Sequence, residues 1–219
     1  MSICWSKQMI KTVLLDLDGT LIDTTGIIID AFIKTFEKFF PEVELSEEEL
    51  SNLLGQTLFK TFGFYADSKE QVDDIVKYYR EVSNQMIENG LEAFPKAKET
   101  LAFLKKKGIK VGIVTSKMRT VATYHLELTG LIGYIDGIIG YEDVVNHKPN
   151  QEPIIKALDL LQAKKRQTVY VGDHENDMKA AKSAGIYACA VTYSRRLKEM
   201  LFEQPDFVID ELENLKDLI

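Results

Sequence analysis

The sequence lacks the features that mark several large classes of protein. Its 219 residues include only two cysteines, Cys4 and Cys189, which stand far apart and in no metal-binding spacing. No hydrophobic run approaches the ~18 residues that a membrane-spanning helix needs, and the amino terminus has no signal-peptide core. We therefore expect a reduced, cytoplasmic protein with neither a disulfide framework nor a membrane partner.

The sequence also has no excess of positive charge. The chain has 34 Asp and Glu residues against 27 Lys and Arg residues, which gives a formal net charge of −7. A protein with this balance has no long-range positive field to attract polyanions, so we expect no nucleic acid among its partners. A local basic site could still bind a phosphate group.

Short β-rich runs alternate with helical patterns along most of the chain. Three of the helical patterns stop at a glycine, at Gly108, Gly130 and Gly185. Such alternation predicts an α/β fold with a doubly wound parallel sheet. The strand-like runs occupy residues 12–16, 110–115, 137–139, 168–173, 187–192 and 207–209.

A long interval separates the first two strand-like runs. It spans about ninety residues, far more than a crossover between parallel strands requires, and it contains several helical patterns. Within it, Ser46 and Glu49 have the spacing of a helix capping box. We therefore predict a core domain formed by residues 1–22 and 93–219, with a helical cap domain inserted as residues 23–92.

Two carboxylates, Asp16 and Asp18, end the first hydrophobic run and are followed by Gly19 and Thr20. Open α/β sheets bind their ligands at the carboxyl ends of the strands, where this pair would lie. One carboxylate could attack phosphorus while the other transfers protons, and two acids facing an anionic substrate imply a divalent cation such as Mg2+. The alternative is an ordinary Asx-turn or a helix N-cap.

Two further segments carry candidate phosphate-binding groups. Thr115, Ser116 and Lys117 come directly after the hydrophobic residues 111–114 of the second strand-like run. A hydroxyl and backbone N–H groups there could hold a phosphoryl oxygen, or the hydroxyl could simply cap a helix. Lys148 precedes Pro149, which favours an extended backbone from which the ammonium could turn inward and neutralise a transferring phosphoryl group. The alternative for Lys148 is an exposed surface position.

The fourth strand-like run ends in Asp173, and Asp177 follows one helical turn later. One of these carboxylates could bind a cation while the other supports it, although Asp173 alone would also suit the N-cap of the next helix. The four signals occur in order, each at or just beyond the end of a strand-like run. Unrelated helix caps have no reason to follow that order, so the set favours one shared site.

Together these motifs resemble those of the haloacid dehalogenase superfamily of phosphotransferases over nearly the whole chain. The resemblance rests on residues 16–21, 115–116, 148–149 and 172–173, with Asp177. It implies a Rossmann-like sheet of order 3-2-1-4-5, in which the first strand is central and the cap is inserted after it. It also implies Mg2+-dependent phosphoryl transfer through an aspartyl-phosphate.

The resemblance assigns a role to each motif residue. Asp16 is the nucleophile, and Asp18 is the general acid and base, whose backbone carbonyl also binds the metal. Thr115 donates to a phosphoryl oxygen, and Lys148 neutralises charge. The metal site consists of Asp16, Asp18, Asp173 and Asp177, in which Asp177 supports the ligand Asp173.

Substrate-binding groups are expected in both predicted domains. In the core they are Gly19, Thr115, Ser116 and Lys117. In the cap, residues 55–61 resemble the family's substrate-facing loop and offer Gln56 and Lys60, of which Lys60 is the more ordinary surface residue. His174 departs from the family, which often has Ser or Asn beside the metal-binding aspartate.

Residues 115–119, 148–153 and 204–207 are similar to the pyrophosphatase branch of the phosphoglycolate phosphatase-like subgroup. This similarity implies a hydrolase that acts on inorganic pyrophosphate. The sequence is compatible with a monomer and with a homodimer. A phosphomonoesterase that acts on phosphoglycolate or a sugar phosphate is the alternative.

Three other functions share parts of this pattern. A dehalogenase has no leaving oxygen to protonate, so Asp18 would have no role in it. A phosphomutase such as β-phosphoglucomutase would use the same core with a cap that excludes water. A protein that only binds a phosphorylated ligand would lack one of the core groups, and none is missing from this sequence.

Overall fold

The structure is a computed structural model that describes residues 10–54, 56–88 and 90–219. The chain divides into two compact units. Of the described residues, the core unit contains 10–22 and 93–219, and the inserted unit is Asp23–Glu92. Among the helices of the described residues, none combines the length and hydrophobicity that crossing a membrane requires.

The main sheet of the core unit has six parallel strands in the order β5-β4-β1-β6-β7-β8. A separate pair of two-residue strands, β2 and β3, forms where the chain leaves and re-enters the core unit. The eight strands are β1 (Thr12–Leu15), β2 (Ile22–Asp23), β3 (Glu92–Ala93), β4 (Lys110–Val114), β5 (Gly137–Ile139), β6 (Thr168–Gly172), β7 (Tyr187–Val191) and β8 (Phe207–Ile209).

This sheet confirms the predicted fold class and the central position of the first strand. The expected order 3-2-1-4-5 is present, and Phe207–Ile209 extends it by one strand at the edge. The predicted runs 12–16, 110–115, 168–173 and 187–192 each include one residue beyond the strand. The sequence analysis missed β2 and β3, because two-residue strands are too short to show hydrophobic alternation.

Central β1 is buried along its whole length, and its hydrophobic sequence accounts for this position. Leu14 lies between Gly112 of β4 and Tyr170 of β6 in the paired register. Leu14 and Tyr170 belong to one hydrophobic cluster that also contains residues of the helices that follow β5 and β6. The two ladders around β1 therefore bring the carboxyl ends of three strands side by side.

Five helices connect the strands of the core unit: α5 (Ala97–Lys106), α6 (Arg119–Leu128), α7 (Glu152–Leu160), α8 (Glu175–Ala184) and α9 (Leu197–Phe202). Helices α5, α6 and α8 end one or two residues before Gly108, Gly130 and Gly185, as predicted. Each of these glycines has a φ between 67° and 74°. That left-handed conformation suits glycine because other residues would place a Cβ in conflict with the backbone.

In its described residues the inserted unit contains four helices, α1 (Thr25–Phe39), α2 (Glu47–Leu53), α3 (Leu58–Phe62) and α4 (Lys69–Glu88). Its core is rich in aromatic rings, with Phe32 in contact with both Phe62 and Tyr79. The capping box at Ser46 and Glu49 is present as the spacing indicates. A hydrophobic core of its own explains why this segment forms a separate compact unit.

We expect Gly112→Val to lower the free energy of unfolding of the core unit by about 1–3 kcal/mol, since overpacking a filled core has that effect. A Cβ at Gly112 would lie 2.8 Å from side-chain carbons of both Leu14 and Leu161. Urea denaturation measures the change. Gly133→Val is the matched control, because a Cβ there meets nothing within 4 Å, and equal stability of the two variants would contradict the prediction.

Candidate functional site

The carboxyl edge of the main sheet brings together acids from separate segments. Asp16 follows β1 and its N–H donates to the Val171 carbonyl of β6 at 2.9 Å, so the ends of these strands are level. Carboxylate oxygens of Asp16, Asp173 and Asp177 all lie within 4.8 Å of one another. Three acids from two distant segments of the sequence therefore form one cluster, as expected for a cation site.

Lys148 balances part of this negative charge. Its side chain is only 4% exposed, and its Nζ lies 3.1 Å from Asp16 Oδ1 and 2.7 Å from Asp177 Oδ1. Burial opposes the charged form, but Asp16 and Asp177 outweigh it and hold the pKa of Lys148 well above its usual range. The surface alternative for Lys148 is therefore wrong, and the residue lies in the cluster as a permanent cation.

Asp16 has an electrostatic environment that a metal ion would suit. Burial raises the pKa of Asp16 to about 7, and Asp177 and Asp18 add to this rise while Lys148 opposes it. Its Oδ1 contacts the Lys148 ammonium without hydrogen-bond alignment and has no hydrogen-bond partner among the described residues. Buried carboxylate oxygens seldom lack partners, so this atom fits a ligand position for a divalent cation.

Asp173 is the second strong ligand candidate. Burial, together with Asp16 and Asp177, raises the pKa of Asp173 well above its usual range. Thr20 Oγ1 donates to Asp173 Oδ1 at 3.1 Å, which orients the carboxylate. Gly19 has a φ of 76°, and a Cβ there would lie 2.2 Å from Asp173 Oδ2. Glycine at position 19 is thus required both by its backbone and by the approach of Asp173.

The helix-cap alternative for Asp173 is wrong. The N-cap of α8 is His174, whose Nδ1 accepts from the Asn176 N–H at 3.0 Å. His174 therefore has a defined role in ending the β6–α8 turn, although it departs from the pattern of the superfamily. The Asp173 carboxylate lies in the acidic cluster and does not cap the helix.

Asp177 fits a supporting role. Its Oδ1 accepts from Lys148 Nζ, and its Oδ2 accepts from the His174 backbone N–H at 3.0 Å. Tyr170, a residue that the sequence analysis missed, joins this network: Lys148 donates to its hydroxyl at 3.0 Å, and the hydroxyl donates to the Val114 carbonyl at 2.7 Å. A tyrosine within a fully buried strand needs a hydrogen-bond partner for its hydroxyl. This requirement could have indicated from the sequence that Tyr170 takes part in a polar network.

Asp18 is not part of the cluster of Asp16, Asp173 and Asp177, and its side chain pairs with Lys117. Lys117 Nζ donates to Asp18 Oδ1 at 2.7 Å. The side chain of Asp18 is 18% exposed, against 8% for Asp16, so the two acids have different surroundings. The structure thus brings Lys117 to the predicted proton-transferring group, while a contribution of the Asp18 backbone carbonyl to metal binding stays a prediction.

The segment after β4 does not cap a helix. Thr115 is buried, and its Oγ1 accepts from the Lys117 backbone N–H at 3.2 Å, which forms a local turn. The N-cap of α6 is Met118, without a side-chain hydrogen bond, so the plain capping alternative for Thr115 and Ser116 is wrong. Roles for both hydroxyls in binding substrate stay predictions.

The predicted substrate-facing loop belongs to the inserted unit. Gln56 Nε2 donates to the Asn52 carbonyl at 2.7 Å, and Lys60 is exposed on α3. Gly55, the first residue of that loop, lies outside the described residues. The contribution of Gln56 to substrate binding therefore stays a prediction.

We expect Asp173→Asn to raise the melting temperature without divalent cations by about 2–4 °C, the shift that ~1 kcal/mol produces in a chain of this size. The pKa of the Asp173 carboxyl is raised in the folded protein, so this group lowers the free energy of unfolding at pH values above its pKa in the unfolded chain. Asparagine carries no ionisable carboxyl group and therefore removes this effect. The same variant should lose the increase in melting temperature that Mg2+ gives the wild type.

Thermal unfolding in EDTA and in Mg2+ measures both effects. Asp159→Asn, the same substitution at an exposed position, should match the wild type in both conditions. A wild-type response of Asp173→Asn to Mg2+ would remove Asp173 from the cation site.

Comparison with known proteins agrees with this geometry. The family model for haloacid dehalogenase-like hydrolases matches residues 13–191. Pyrophosphatase PpaX of Halalkalibacterium halodurans is 36% identical over 211 residues, which cover 96% of this chain and 97% of that protein. Pyrophosphatase PpaX of Bacillus pumilus is 34% identical over 215 residues, 98% of each chain.

A solved structure of a hydrolase is also similar to this chain. A haloacid dehalogenase-like family hydrolase from Streptococcus pneumoniae superimposes with a TM-score of 0.80 at 25% identity, covering 95% of this chain and 97% of that chain. The resemblance and the enzyme class predicted from the motifs are thereby confirmed. The chain belongs to the haloacid dehalogenase-like hydrolase family.

Proposed function

We propose that this hydrolase is an Mg2+-dependent phosphohydrolase that acts through an aspartyl-phosphate, with inorganic pyrophosphate as its substrate. The observation that carries the proposal is the buried Asp16 carboxylate, whose Oδ1 faces the Lys148 ammonium and lacks a hydrogen-bond partner among the described residues. An acid in this position is available for covalent attack once its charge is balanced. The pyrophosphatase relatives, which match nearly the whole chain, support the choice of substrate.

The different surroundings of the two motif acids support different roles in two steps. In the first step Asp16 attacks phosphorus in line, and Asp18 protonates the oxygen of the leaving group. In the second step Asp18 takes a proton from water, which attacks the phosphoryl group on Asp16 and releases phosphate. Asp18 is the more exposed of the two and so can exchange protons with solvent and substrate.

The other motif groups bind and orient the phosphoryl group. Lys148 neutralises the charge that gathers on its oxygens, and the Thr115 and Ser116 hydroxyls offer donors at the same sheet edge. The Gly19 N–H already donates to the Ile22 carbonyl at 3.0 Å, so Gly19 contributes the space for Asp173 rather than a donor to the substrate. Asp16 and Asp173 would hold Mg2+ together with the Asp18 carbonyl, with Asp177 in support. When bound, Mg2+ supplies positive charge that keeps Asp16 ionised and lets an anionic substrate approach.

We also propose that residues 23–92, the inserted unit, act as the cap domain. Residues 1–22 and 93–219 then form the core domain. A helical unit that closes over a phosphoryl-transfer site excludes bulk water and contributes to substrate choice, and Gln56 is its polar candidate. We also propose a cytoplasmic location and a small phosphorylated partner. The one cysteine in the described residues, Cys189, is buried and unpaired, which suits a reducing compartment.

Turnover tests the proposal directly. Phosphate release should be measured with and without Mg2+ from pyrophosphate, phosphoglycolate and sugar phosphates. Metal-dependent preference for pyrophosphate supports the proposal in full, and preference for a monoester would replace the substrate but keep the mechanism. Isomerisation of a sugar phosphate without phosphate release would indicate a mutase, and phosphate binding without any turnover would indicate a binding protein.

Asp16→Asn should reduce phosphate release to below about a thousandth of the wild-type rate, because it removes the nucleophile and hardly changes side-chain volume. Steady-state release from pyrophosphate measures this, and circular dichroism verifies the fold. Asp159→Asn, at an exposed position, should keep the wild-type rate. A higher residual rate in Asp16→Asn would exclude the aspartyl-phosphate.

Lys148→Met should lower kcat/KM by about 10²-fold or more, since it removes buried positive charge from the transferring group and keeps much of the side-chain volume. Lys156→Met is the matched control, because Lys156 is 45% exposed and pairs with Glu152 away from the acidic cluster. Equal kinetics of the two variants would show that Lys148 has no part in phosphoryl transfer.

A further inference from the structure

His125 of α6 completes a contact chain that begins at Asp18. Lys117 Nζ lies 2.7 Å from Asp18 Oδ1 and 3.2 Å from His125 Nδ1. These residues come from the loop after β1, the loop after β4 and the middle of a helix. Neither the motifs nor the proposed mechanism gives His125 a role.

The contact with Lys117 determines which ring nitrogen of His125 carries the proton. A lysine ammonium has three donors and no acceptor, so His125 Nδ1 must accept and the ring proton must sit on Nε2. Burial, together with the Lys117 charge, lowers the pKa of His125 to about 4, although Asp18 opposes the shift. At neutral pH the ring is therefore uncharged and presents a lone pair to the ammonium.

Stability alone does not account for a histidine at this position. His125 is 1% exposed and shares its buried helix face with Ala122 and Leu126. Its Nε2 has no hydrogen-bond partner within the part of the chain that the structure describes. An aliphatic side chain would fill the same space without a buried unpaired N–H, so the contact that distinguishes histidine here is the one to Lys117.

We propose that His125 is a positioning residue that holds the Lys117 ammonium against Asp18. Lysine has a long flexible side chain, and two contacts in fixed positions restrict where its charge can lie. Two of the three ammonium donors are then directed to Asp18 and His125, so the charge of Lys117 stays beside the proton-transferring acid. This inference rests on the proposed function, because it concerns the surroundings of the proton-transferring acid.

The test is a pair of amide substitutions that differ in where they place an acceptor. In His125→Asn the amide oxygen is bonded to Cγ, as Nδ1 is in histidine, so it can accept from Lys117. In His125→Gln the amide lies one bond further along the side chain, towards the position of Nε2. We expect kcat with pyrophosphate to fall about 10- to 100-fold in His125→Gln, since misplaced groups have effects of this size, and less than about threefold in His125→Asn.

A double-mutant cycle identifies the residue through which His125 acts. His125→Gln should lower kcat strongly in the wild type and by less than about twofold in a Lys117→Met background, because coupled residues are not additive. KM should change less than kcat in His125→Gln, because the proposed effect concerns proton transfer. Equal kcat values for the Asn and Gln variants, or full additivity with Lys117→Met, would overturn the inference.

Leu126→Ala separates loss of stability from loss of rate. It leaves a cavity on the same face of α6 without removing a polar contact, so it should lower the melting temperature and keep kcat. A fall in kcat equal to that of His125→Gln would reduce His125 to a structural role. An inactive wild type would refute the proposed function, whereas an active wild type with an unaffected His125→Gln would refute only the role of His125.

Discussion

The ion-pair network around the buried Lys148 ammonium is the interaction on which the rest of the site depends. Removing an ammonium and two carboxylates from water is unfavourable, and it is tolerated only when the groups satisfy one another closely. Here Lys148 contacts Asp16, Asp177 and the Tyr170 hydroxyl, while the Tyr170 hydroxyl and Asp177 continue the network to backbone groups. When all three acids of the cluster are ionised, they carry more negative charge than Lys148 neutralises, and a bound cation would balance the excess.

The parallel sheet explains how distant residues reach this network. Register along β1, β4 and β6 places the carboxyl ends of three adjacent strands at one edge of the sheet. The residues that follow these strands therefore lie close to one another. The site therefore requires no long structured loop except the one that carries Lys148. Gly19 shows how tightly the loops meet, since its lack of a Cβ admits the Asp173 carboxylate.

The sequence was sufficient to predict the fold class, the central strand and the acids of the cluster, because hydrophobic runs and the polar residues that end them are local signals. It was not sufficient for Tyr170 and His125. Each is a polar residue inside a buried segment, and the group that satisfies it comes from elsewhere in the chain. The Lys117–Asp18 pair was missed for the same reason, although both residues were expected at the site.

The short strands β2 and β3 have a consequence for protein engineering. The Phe94 N–H donates to the Leu21 carbonyl at 3.1 Å, so the two ends of the core chain lie beside each other where the insertion begins and returns. Any module whose own termini lie close together could be grafted between these points without interrupting a strand of the main sheet. The core thus offers a place where a different domain could be inserted while the residues of the acidic cluster and Lys148 stay unchanged.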